Sequence, residues 1–551
     1  MRNKDNHDIP EILFITSYPP RECGIATFSQ DLVKALNNKF SHSFSLRIAA
    51  LESENEKHSY PDEVKYVLDT SDLPAYTALA ESVNRDERVG IVLVQHEFGF
   101  FSTVPDEDFV RFLQRITKPV VLTFHTVLPH PDDGWKNKVI NMASACAAVI
   151  VMTNNAAGIL ATDYGIPEEK ITVIAHGTHL VPHLDRPSLK EKYGVPGRKI
   201  LSTFGLISSG KSIETTLEAL PEIIQMYPEV LFLVIGKTHP SVVKHERERY
   251  RQMLETRITE LSLQHHVRFI NRYLSLPELL EYLQMTNIYL FTSKDPNQAV
   301  SGTFSYAISC ACPIISTPIP HAREVLRDDA GIIIDFQNPE QLAAAVNLLL
   351  GNETLRRNIS TNGLQRIVST AWENVAVAHA MLFQRMADGN IVLNYSFPPF
   401  NLNHIKKMTT DFGMVQFAKI NQPDLKSGYT IDDNARAMIA MCMYYEWTGD
   451  ESTIPYIKTY LDFISHCLQS GGDFLNYVDT AKRFSSQNDE TNLDDANGRT
   501  VWALGYLISK KGLLPNSLLS KAKTLLQKVE AKLQRLPATG YSSRRFSIIL
   551  A

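Results

Sequence analysis

The chain has 551 residues, of which 44% are hydrophobic and 21% charged, and it carries a formal net charge of −5 at pH 7. This composition is typical of a globular protein, and the absence of a long basic block argues against nucleic acid as a general partner. No apolar run approaches the roughly 20 residues of a transmembrane helix, and the polar N-terminus lacks a signal-peptide core, which predicts a cytoplasmic location.

At roughly 150 residues per domain, this length predicts three or four domains. The cysteines are scattered along the sequence and are Cys23, Cys146, Cys310, Cys312, Cys442 and Cys467. Such spacing does not suggest a disulfide framework, and it fits a reducing compartment. Cys310 and Cys312 lie close together, but no second Cys or His pair completes a metal site with them.

The N-terminal part alternates predicted strands with helical patterns. The predicted strands are residues 11–17, 45–50, 90–95, 120–124, 148–153 and 171–175. They are apolar throughout, which is typical of a parallel sheet buried on both faces. A loop containing Gly24 precedes a predicted helix over 25–36, and glycine there would let a ligand approach the backbone closely.

Polar residues gather where these strands end. His96 and Glu97 follow one strand, and His125 follows the next. Open α/β sheets bind ligands outside the carboxyl ends of their strands. We therefore interpret these side chains as candidate site residues, although a single histidine at a strand end is more often structural.

A polar, Pro-containing segment over 181–198 is interpreted as a hinge, after which the pattern restarts. The second set of predicted strands is 199–205, 230–235, 267–270, 289–293 and 313–316, with helices over 213–226, 242–261 and 277–285. Two Rossmann-like halves joined by a hinge leave a cleft between them, and such clefts are preferred ligand sites. Lys211 could reach a phosphate in this cleft, or it could be an ordinary solvated loop lysine.

The segment 289–324 contains a second candidate site. Ser301, Gly302 and Thr303 open a predicted helix of small residues that runs to Cys310. The first N–H groups of a helix lack partners within it and carry a partial positive charge, which suits a phosphate. An ordinary serine cap explains the same residues.

The composition changes near residue 390, after predicted helices over 339–351, 353–367 and 371–386. The rest is helical, and it repeats an Asp-Asp pair at a helix start after about sixty residues, as Asp432, Asp433, Asp494 and Asp495. Repeated helical hairpins of this kind predict part of an α/α toroid. The apolar ending at 547–551 predicts that the ring is incomplete. Helix capping explains the acidic pairs, and the alternative is a second, glycoside-processing site that uses them as acids.

Residues 11–388 resemble retaining glycosyltransferases of the GT-B fold, family 4. The opening YPPRECGIATF at 18–28 is similar to the family's first glycine loop, and QHEFG at 95–99 and TFHTVLP at 123–129 are similar to one subgroup. The stretch from Phe204 and Gly205 through Lys211 resembles the loop that holds the donor diphosphate. Trp372 and the helix after it resemble the terminal helix that crosses back over the first domain.

The resemblance implies four segments: an acceptor-side Rossmann-like domain over 1–185, a nucleotide-sugar domain over 196–370, a crossover helix over 371–390, and a toroid-like helical domain over 400–551. It implies transfer of a hexose from a nucleotide-sugar to a sugar or glycoconjugate acceptor, with no required metal or cofactor. Contact with a membrane surface stays open.

The resemblance also implies roles for individual residues. Catalytic roles go to His125 and Gln298, and acceptor-side roles to His96 and Glu97. Contacts with the donor and its phosphates go to Gly24, Gly205, Lys211, Ser301, Gly302, Thr303 and Glu324.

The sequence departs from the family at three positions. The family usually carries two glutamates eight positions apart, where this chain has Gln298 and Tyr306, and Leu206 stands where an arginine usually follows Gly205. These departures keep two alternatives open. One is a catalytically impaired sugar-binding or scaffold protein, and the other is a nucleotide-sugar epimerase of the same fold, against which the glycine loop and the fused helical domain argue.

Overall fold

The computed structural model describes residues 9–53, 57–397, 400–420 and 422–533. The chain divides into two compact units, Met1–Phe397 and Pro398–Ala551. Within the described residues, no helix is both long and apolar enough to cross a membrane.

The first unit begins with a parallel sheet whose strands run in the order β3-β2-β1-β4-β5-β6-β7. The strands are β1 (Glu11–Thr16), β2 (Ser45–Glu52), β3 (Val64–Asp69), β4 (Val89–His96), β5 (Val120–Phe124), β6 (Ala148–Val151) and β7 (Ile171–Val173). Every residue of β1 and β6 is buried, which explains why these strands are apolar throughout rather than alternating.

Helices cover both faces of this sheet. They are α1 (Gly24–Phe40), α2 (Leu73–Arg85), α3 (Asp106–Arg115), α4 (Asp133–Ser144) and α5 (Asn154–Thr162). Leu13 and Ile15 of β1 pack in one core with helices α2 to α5. Ile12 and Phe14 point to the opposite face and pack in a second core with α1.

The second sheet of this unit is also parallel, with the order β10-β9-β8-β11-β12-β13. Its strands are β8 (Lys199–Phe204), β9 (Val230–Ile235), β10 (Val267–Ile270), β11 (Ile288–Phe291), β12 (Ile314–Ser316) and β13 (Ile332–Ile333). Its helices are α6 (Arg186–Lys192), α7 (Ile213–Met226), α8 (Pro240–Glu246), α9 (Arg249–Glu260), α10 (Leu276–Met285), α11 (Gly302–Ser309), α12 (Pro320–Val325), α13 (Pro339–Gly351) and α14 (Glu353–Ile367). The predicted class, two Rossmann-like halves, is confirmed.

Helix α15 (Trp372–Met386) returns from the second half to the first. Val375, Ala376 and Phe383 belong to the same core as Ile12 and Phe14 of β1. The chain crosses back where residue Thr178 forms a parallel bridge with Ala371. Helix α15 therefore packs on the first half.

Three of the differences between the structure and the predicted elements have a clear local cause. Strand β3 was missed, because only Leu68 of its six residues is buried and the sequence lacks an apolar run there. The predicted helix over 242–261 is two helices, since Arg247 between them has a positive φ of 54°. The predicted hinge over 181–198 contains the short helix α6, which Pro187 opens and Asp185 caps through Ser188.

The second unit is mostly helical. Its helices are α16 (Asn403–Met408), α17 (Ile431–Thr448), α18 (Ile454–Cys467), α19 (Gln487–Glu490), α20 (Asp494–Ser509) and α21 (Asn516–Leu533), and its short strands are β14 (Ala418–Lys419), β15 (Gln422–Pro423), β16 (Tyr429–Thr430) and β17 (Tyr477–Val478). Helices α17, α18, α20 and α21 share one apolar core. A helical C-terminal region is thus present. The toroid stays a prediction, and the ending at 547–551 lies outside the described residues.

Candidate functional site

Both sheets reverse their strand order at one point, and most of the candidate residues follow the strands that meet there. In the first sheet the reversal lies between β1 and β4, and in the second between β8 and β11. Gly24 follows β1 and Gly205 follows β8. Open parallel sheets bind ligands in the crevice at such a reversal, so the two halves present two such crevices.

Gly24 begins helix α1 in open space. Cys23 caps the helix, with the Ala26 N–H donating to its Sγ at 3.3 Å. A Cβ built on Gly24 would meet no described atom within 4 Å. Packing within the protein therefore does not require glycine here, and the space beside it is available to a ligand.

Lys211 lies against Gly205 and the start of α11. Its Nζ donates to the Phe204 carbonyl at 3.2 Å. Gly205 has a φ of +124°, and a Cβ there would come within 2.8 Å of Lys211 Nζ and 2.9 Å of Thr303 Cγ2. Glycine at 205 thus leaves room for the ammonium and for the first turn of α11 on the same side of the backbone. Among the described residues no carboxylate pairs with Lys211, and burial lowers its pKa to about 8.

The start of α11 has one N–H group already occupied. The Ser301 N–H donates to His321 Nδ1 at 3.3 Å, and the Ser301 and Thr303 hydroxyls lie 3.0 Å apart. Gly302 and Thr303 are the first helical residues, so their N–H groups have no acceptor within the helix. Of the three predicted N–H donors, those of Gly302 and Thr303 are therefore oriented by the helix and form none of its internal hydrogen bonds.

His125 follows β5 and is held by a neighbouring strand. Its Nε2 lies 2.8 Å from Oε1 of Gln95, a fully buried residue near the end of β4. Phe28 packs edge-on against the imidazole, with ring centroids 5.2 Å apart. Burial lowers the pKa of His125 to about 3, so the ring is neutral near pH 7. A neutral imidazole in this position can hydrogen-bond a substrate but carries no charge.

His96 and Glu97 do not both reach the cleft. His96 is 1% exposed and is packed among aromatic rings, with Phe98 and Phe101 at centroid distances of 4.7 and 5.5 Å. Its predicted acceptor-side position is corrected, because the side chain faces the core. Glu97 is half-buried and accepts from the Thr126 hydroxyl at 2.8 Å, and burial raises its pKa.

Gln298 and Tyr306, which stand where the resembling family has glutamates, are engaged within the protein. Gln298 Oε1 accepts from the Ser293 hydroxyl at 2.8 Å. The Tyr306 phenol donates to Oδ2 of Asp31 in α1 at 2.6 Å, and His179 Nε2 lies 3.3 Å from the same oxygen. Burial and the Asp31 charge raise the pKa of Tyr306 far above its ordinary value.

Glu324 links the two halves by a hydrogen bond, and its partner in that bond is Asn154 rather than Lys211. Asn154 at the start of α5 donates to its Oε1 at 2.8 Å. Glu324 also lines a cavity of about 250 Å³ between the halves, and neither Lys211 nor Gly205 contributes to that lining.

Several residues of this region were missed by sequence reasoning. Asp31 lies in the middle of a helix and gave no signal, since one buried acid in an amphipathic pattern looks like any other. His321 follows a proline in a loop sequence and also gave none. His176 and His179 follow the predicted strand at 171–175, and this position at a strand end is the signal that could have identified them.

The two Asp-Asp pairs of the second unit lie at the starts of α17 and α20. Asp432 forms ion pairs with Arg499 at 2.7 Å and Arg436 at 2.8 Å, and Arg499 also pairs with Asp495 at 2.7 Å. Asp433 and Thr430 exchange hydrogen bonds at the start of α17. Asp494 begins α20, where its N–H donates to the Asn492 side chain. Ion pairing accounts for the carboxylates of Asp432 and Asp495, and the helix-start hydrogen bonds account for that of Asp433. Within the described ranges no cluster of His, Cys, Asp and Glu is arranged to hold a metal.

Comparisons with known proteins match both halves of the first unit. Residues 24–181 match the family model described as Glycosyltransferase Family 4, and residues 185–366 match the one described as Glycosyl transferases group 1. The spore coat protein SA of Bacillus subtilis is 26% identical over 194 residues, which cover 35% of this chain and 50% of that protein. The D-inositol 3-phosphate glycosyltransferase of Corynebacterium urealyticum is 22% identical over 245 residues, covering 43% of this chain and 56% of that protein. The chain thus spans about half the length of these two curated relatives.

Two solved structures share the fold of the first unit. Anabaena HepE, solved in complex with UDP and glucose, has a TM-score of 0.56 at 15% identity and covers 68% of this chain and 100% of its own. A glycosyltransferase from Rickettsia africae has a TM-score of 0.55 at 17% identity, covering 69% and 99%. The family matches together span more than half of the chain and the two facing parallel sheets carry the site residues. The chain belongs to the family 4 glycosyltransferases of the GT-B fold.

Proposed function

We propose that the protein is a retaining glycosyltransferase that moves a hexose from a nucleotide-sugar to a sugar or glycoconjugate acceptor in the cytoplasm. The observation that carries this proposal is that Lys211 Nζ and the Thr303 side chain both approach the same side of Gly205. A cation and the start of a helix converge there at the carboxyl end of a parallel sheet, in a chain whose family transfers glycosyl groups. The unpaired cysteines fit the cytoplasmic part of the proposal.

The proposed chemistry needs charge stabilisation on the leaving group. When the bond from the sugar to the diphosphate breaks, negative charge develops on the phosphate oxygens. Lys211 would neutralise it, and the Gly302 and Thr303 N–H groups would donate to the same oxygens with the helix dipole behind them. Lys211 is half-buried and has no carboxylate partner among the described residues, so its charge is available to the ligand.

His125 would contact the transferred sugar. A neutral ring whose Nε2 is held by Gln95 keeps its other nitrogen for a hydroxyl of that sugar. The open space beside Gly24 would accept the sugar and the diphosphate from the opposite half. The complexes of HepE with UDP and glucose support a uridine diphosphate hexose as the first donor to test.

The experiment is a thermal-shift screen against UDP-, GDP- and ADP-sugars with the wild type and Lys211→Met. Ligands that bind the folded state raise Tm by mass action. We expect one nucleotide family to raise Tm and Lys211→Met to lose most of that rise. Nucleotide release and the anomeric configuration of the product by NMR then test transfer and retention. No shift with any donor would contradict the proposal.

A second candidate is a sugar-binding protein without transferase activity. The observation that favours it is the Tyr306–Asp31 hydrogen bond, which occupies a position where the resembling family has a free carboxylate. This candidate predicts a donor-induced Tm shift without nucleotide release. If adding an acceptor raises the rate of nucleotide release above the rate with donor alone, this candidate is excluded.

A further inference from the structure

The cavity between the two halves lies beside helix α11 and away from Lys211. One wall comes from the ends of β6 and β7, including Thr153 and His176, and the other comes from Phe304, Ser305 and His321. Its volume is about 250 Å³. At roughly 30 Å³ per water this holds about eight waters, and it is smaller than a typical pocket for a drug-sized ligand. One sugar ring fits such a volume, and an oligosaccharide does not.

Two neutral imidazoles, those of His176 and His321, line this cavity. His321 Nδ1 accepts from the Ser301 N–H at 3.3 Å, so the proton of that ring is on Nε2. His176 Nδ1 lies 2.8 Å from the Gly177 carbonyl and must donate to it, which leaves a lone pair on Nε2. Burial lowers both pKa values, to about 3 for His321 and about 4 for His176. The pair therefore offers one donor and one acceptor, and neither forms a further hydrogen bond through Nε2 within the described part of the chain.

The charged side chains of the lining are largely compensated. Arg366 pairs with Asp328 at 3.3 Å and with Asp329 at 3.2 Å, while Glu324 accepts from Asn154 at 2.8 Å. Arg327 lies at the exposed rim. Arg366 is matched by two carboxylates, and the Glu324 carboxylate offsets the charge of Arg327. The cavity therefore lacks the excess positive charge that a phosphate needs. Hydroxyl groups, which both donate and accept, match this lining better.

The cavity also reaches the start of α11. A Cβ on Gly302 would lie 3.4 Å from His176 Nε2, so this imidazole touches the helix start from the cavity side. Lys211 and Thr303 both approach Gly205, and neither of them lines the cavity. An occupant of the cavity would thus be next to the diphosphate seat but separate from it.

We propose that this cavity is the acceptor subsite and that it binds a neutral sugar ring. The proposal rests on the proposed function, because an acceptor is defined only for a transferase. It adds the substrate class: an acceptor whose terminal group next to the reaction is an uncharged, hydroxyl-bearing ring, held by His176, His321 and Glu324.

The test is saturation-transfer NMR on the full chain with free glucose, mannose, galactose, N-acetylglucosamine and glucose 6-phosphate, without donor. Ser369 lines the cavity at an exposed position, so Ser369→Trp fills it from the rim. The matched control is Val368→Trp, since Val368 is 61% exposed and does not line the cavity. We expect one neutral sugar to bind, with affinity at least about ten-fold weaker in Ser369→Trp and unchanged in Val368→Trp.

Three results would overturn the subsite: no neutral sugar binds, Ser369→Trp binds as the wild type does, or glucose 6-phosphate binds more tightly than glucose. Donor-induced Tm shifts on the same samples separate the two proposals. A donor shift without sugar binding removes only the acceptor subsite. If Ser369→Trp weakens sugar binding but no donor raises Tm, the transferase function is contradicted. The cavity is then a sugar-binding site but not an acceptor subsite.

Discussion

The phenol of Tyr306 donates to the carboxylate of Asp31 at 2.6 Å, across the boundary between the two Rossmann-like halves. Asp31 is 6% exposed and Tyr306 is 8% exposed, so water cannot easily replace either partner. His179 stands 3.3 Å from the same carboxylate oxygen. One buried carboxylate therefore ties α1 of the first half to α11 of the second.

Tyr306→Phe should destabilise the first unit. Removing the hydroxyl leaves a buried Asp31 oxygen with one partner fewer, which typically costs about 1–3 kcal/mol of unfolding free energy. Chemical denaturation would measure this loss. Tyr273→Phe is the control, because Tyr273 is 47% exposed and bonds Thr27 at the surface, where we expect a loss within about 0.5 kcal/mol. Equal losses in the two variants would show that the Asp31 contact contributes nothing special.

Lys211→Met should abolish nucleotide binding without lowering stability. The buried ammonium has a pKa of about 8, so between about pH 8 and 10.5 the unfolded chain binds more protons and stability rises with pH. Replacing this cation by a thioether removes its desolvation cost, and we expect Tm to stay or rise. Nucleotide affinity of the wild type should fall above about pH 8, as the free lysine loses its proton.

Lys190→Met is the matched control for that variant. Burial also lowers the pKa of Lys190 to about 8, but its Nζ donates to the Arg198 carbonyl at 2.7 Å and to Asn287 Oδ1 at 2.9 Å. We expect Lys190→Met to lower Tm and to leave the nucleotide-induced shift intact. Thermal scans with and without UDP-glucose measure both quantities, and loss of the shift in Lys190→Met would make the Lys211 result uninformative about a phosphate contact.

Gln95→Leu should act on His125 rather than on folding. The amide oxygen at 2.8 Å fixes the proton of His125 on Nε2. Without it the imidazole samples both tautomers, which ¹⁵N NMR of the ring nitrogens detects. We expect kcat/KM to fall about 10- to 100-fold, a loss of about 1.4–2.7 kcal/mol. Wild-type ring shifts in the variant would show that Gln95 does not set the tautomer.

Gly24→Ala and Gly177→Ala should separate a ligand contact from a packing contact. A Cβ on Gly177 would overlap the indole of Trp372, so Gly177→Ala should cost about 1–3 kcal/mol by overpacking. A Cβ on Gly24 meets no described atom within 4 Å, and alanine is the better helix former. We expect Gly24→Ala to keep or raise Tm and yet weaken the donor-induced shift. An unchanged donor shift would argue that the space beside Gly24 is not used.

Acid should destabilise the first unit through its buried histidines. His379 in α15 is 1% exposed, and burial lowers its pKa to about 4, against about 6.5 when unfolded. The unfolded chain therefore binds more protons below about pH 6.5, and stability falls as the pH drops toward 4. We expect His379→Met to reduce the drop in Tm between pH 7 and pH 5. His130→Gln, at a side chain that is 93% exposed, should not change that drop.

The sequence predicted the parallel sheets because buried parallel strands are apolar runs, and such runs are visible without any tertiary information. Strand β3 escaped because five of its six residues are not fully buried. The candidate site was predicted where a strand end or a glycine marks it, as at His125 and Gly24. Asp31 and His321 were missed since their importance arises only from contacts to residues distant in sequence, Tyr306 and Ser301. His96 was misplaced because a strand end fixes a position but not the side of the sheet on which a side chain lies.

The docking of α15 has a consequence for synthesis of the chain. The core that contains Ile12 and Phe14 also contains Phe383 and Ile391, so its last members are translated almost four hundred residues after its first. At roughly 5–20 residues per second, the ribosome needs on the order of half a minute to deliver them. During that time one face of the first sheet is covered by α1 but not yet by α15. The N-terminal half therefore emerges first and completes its folding late, with an apolar surface that chaperones can hold until α15 arrives.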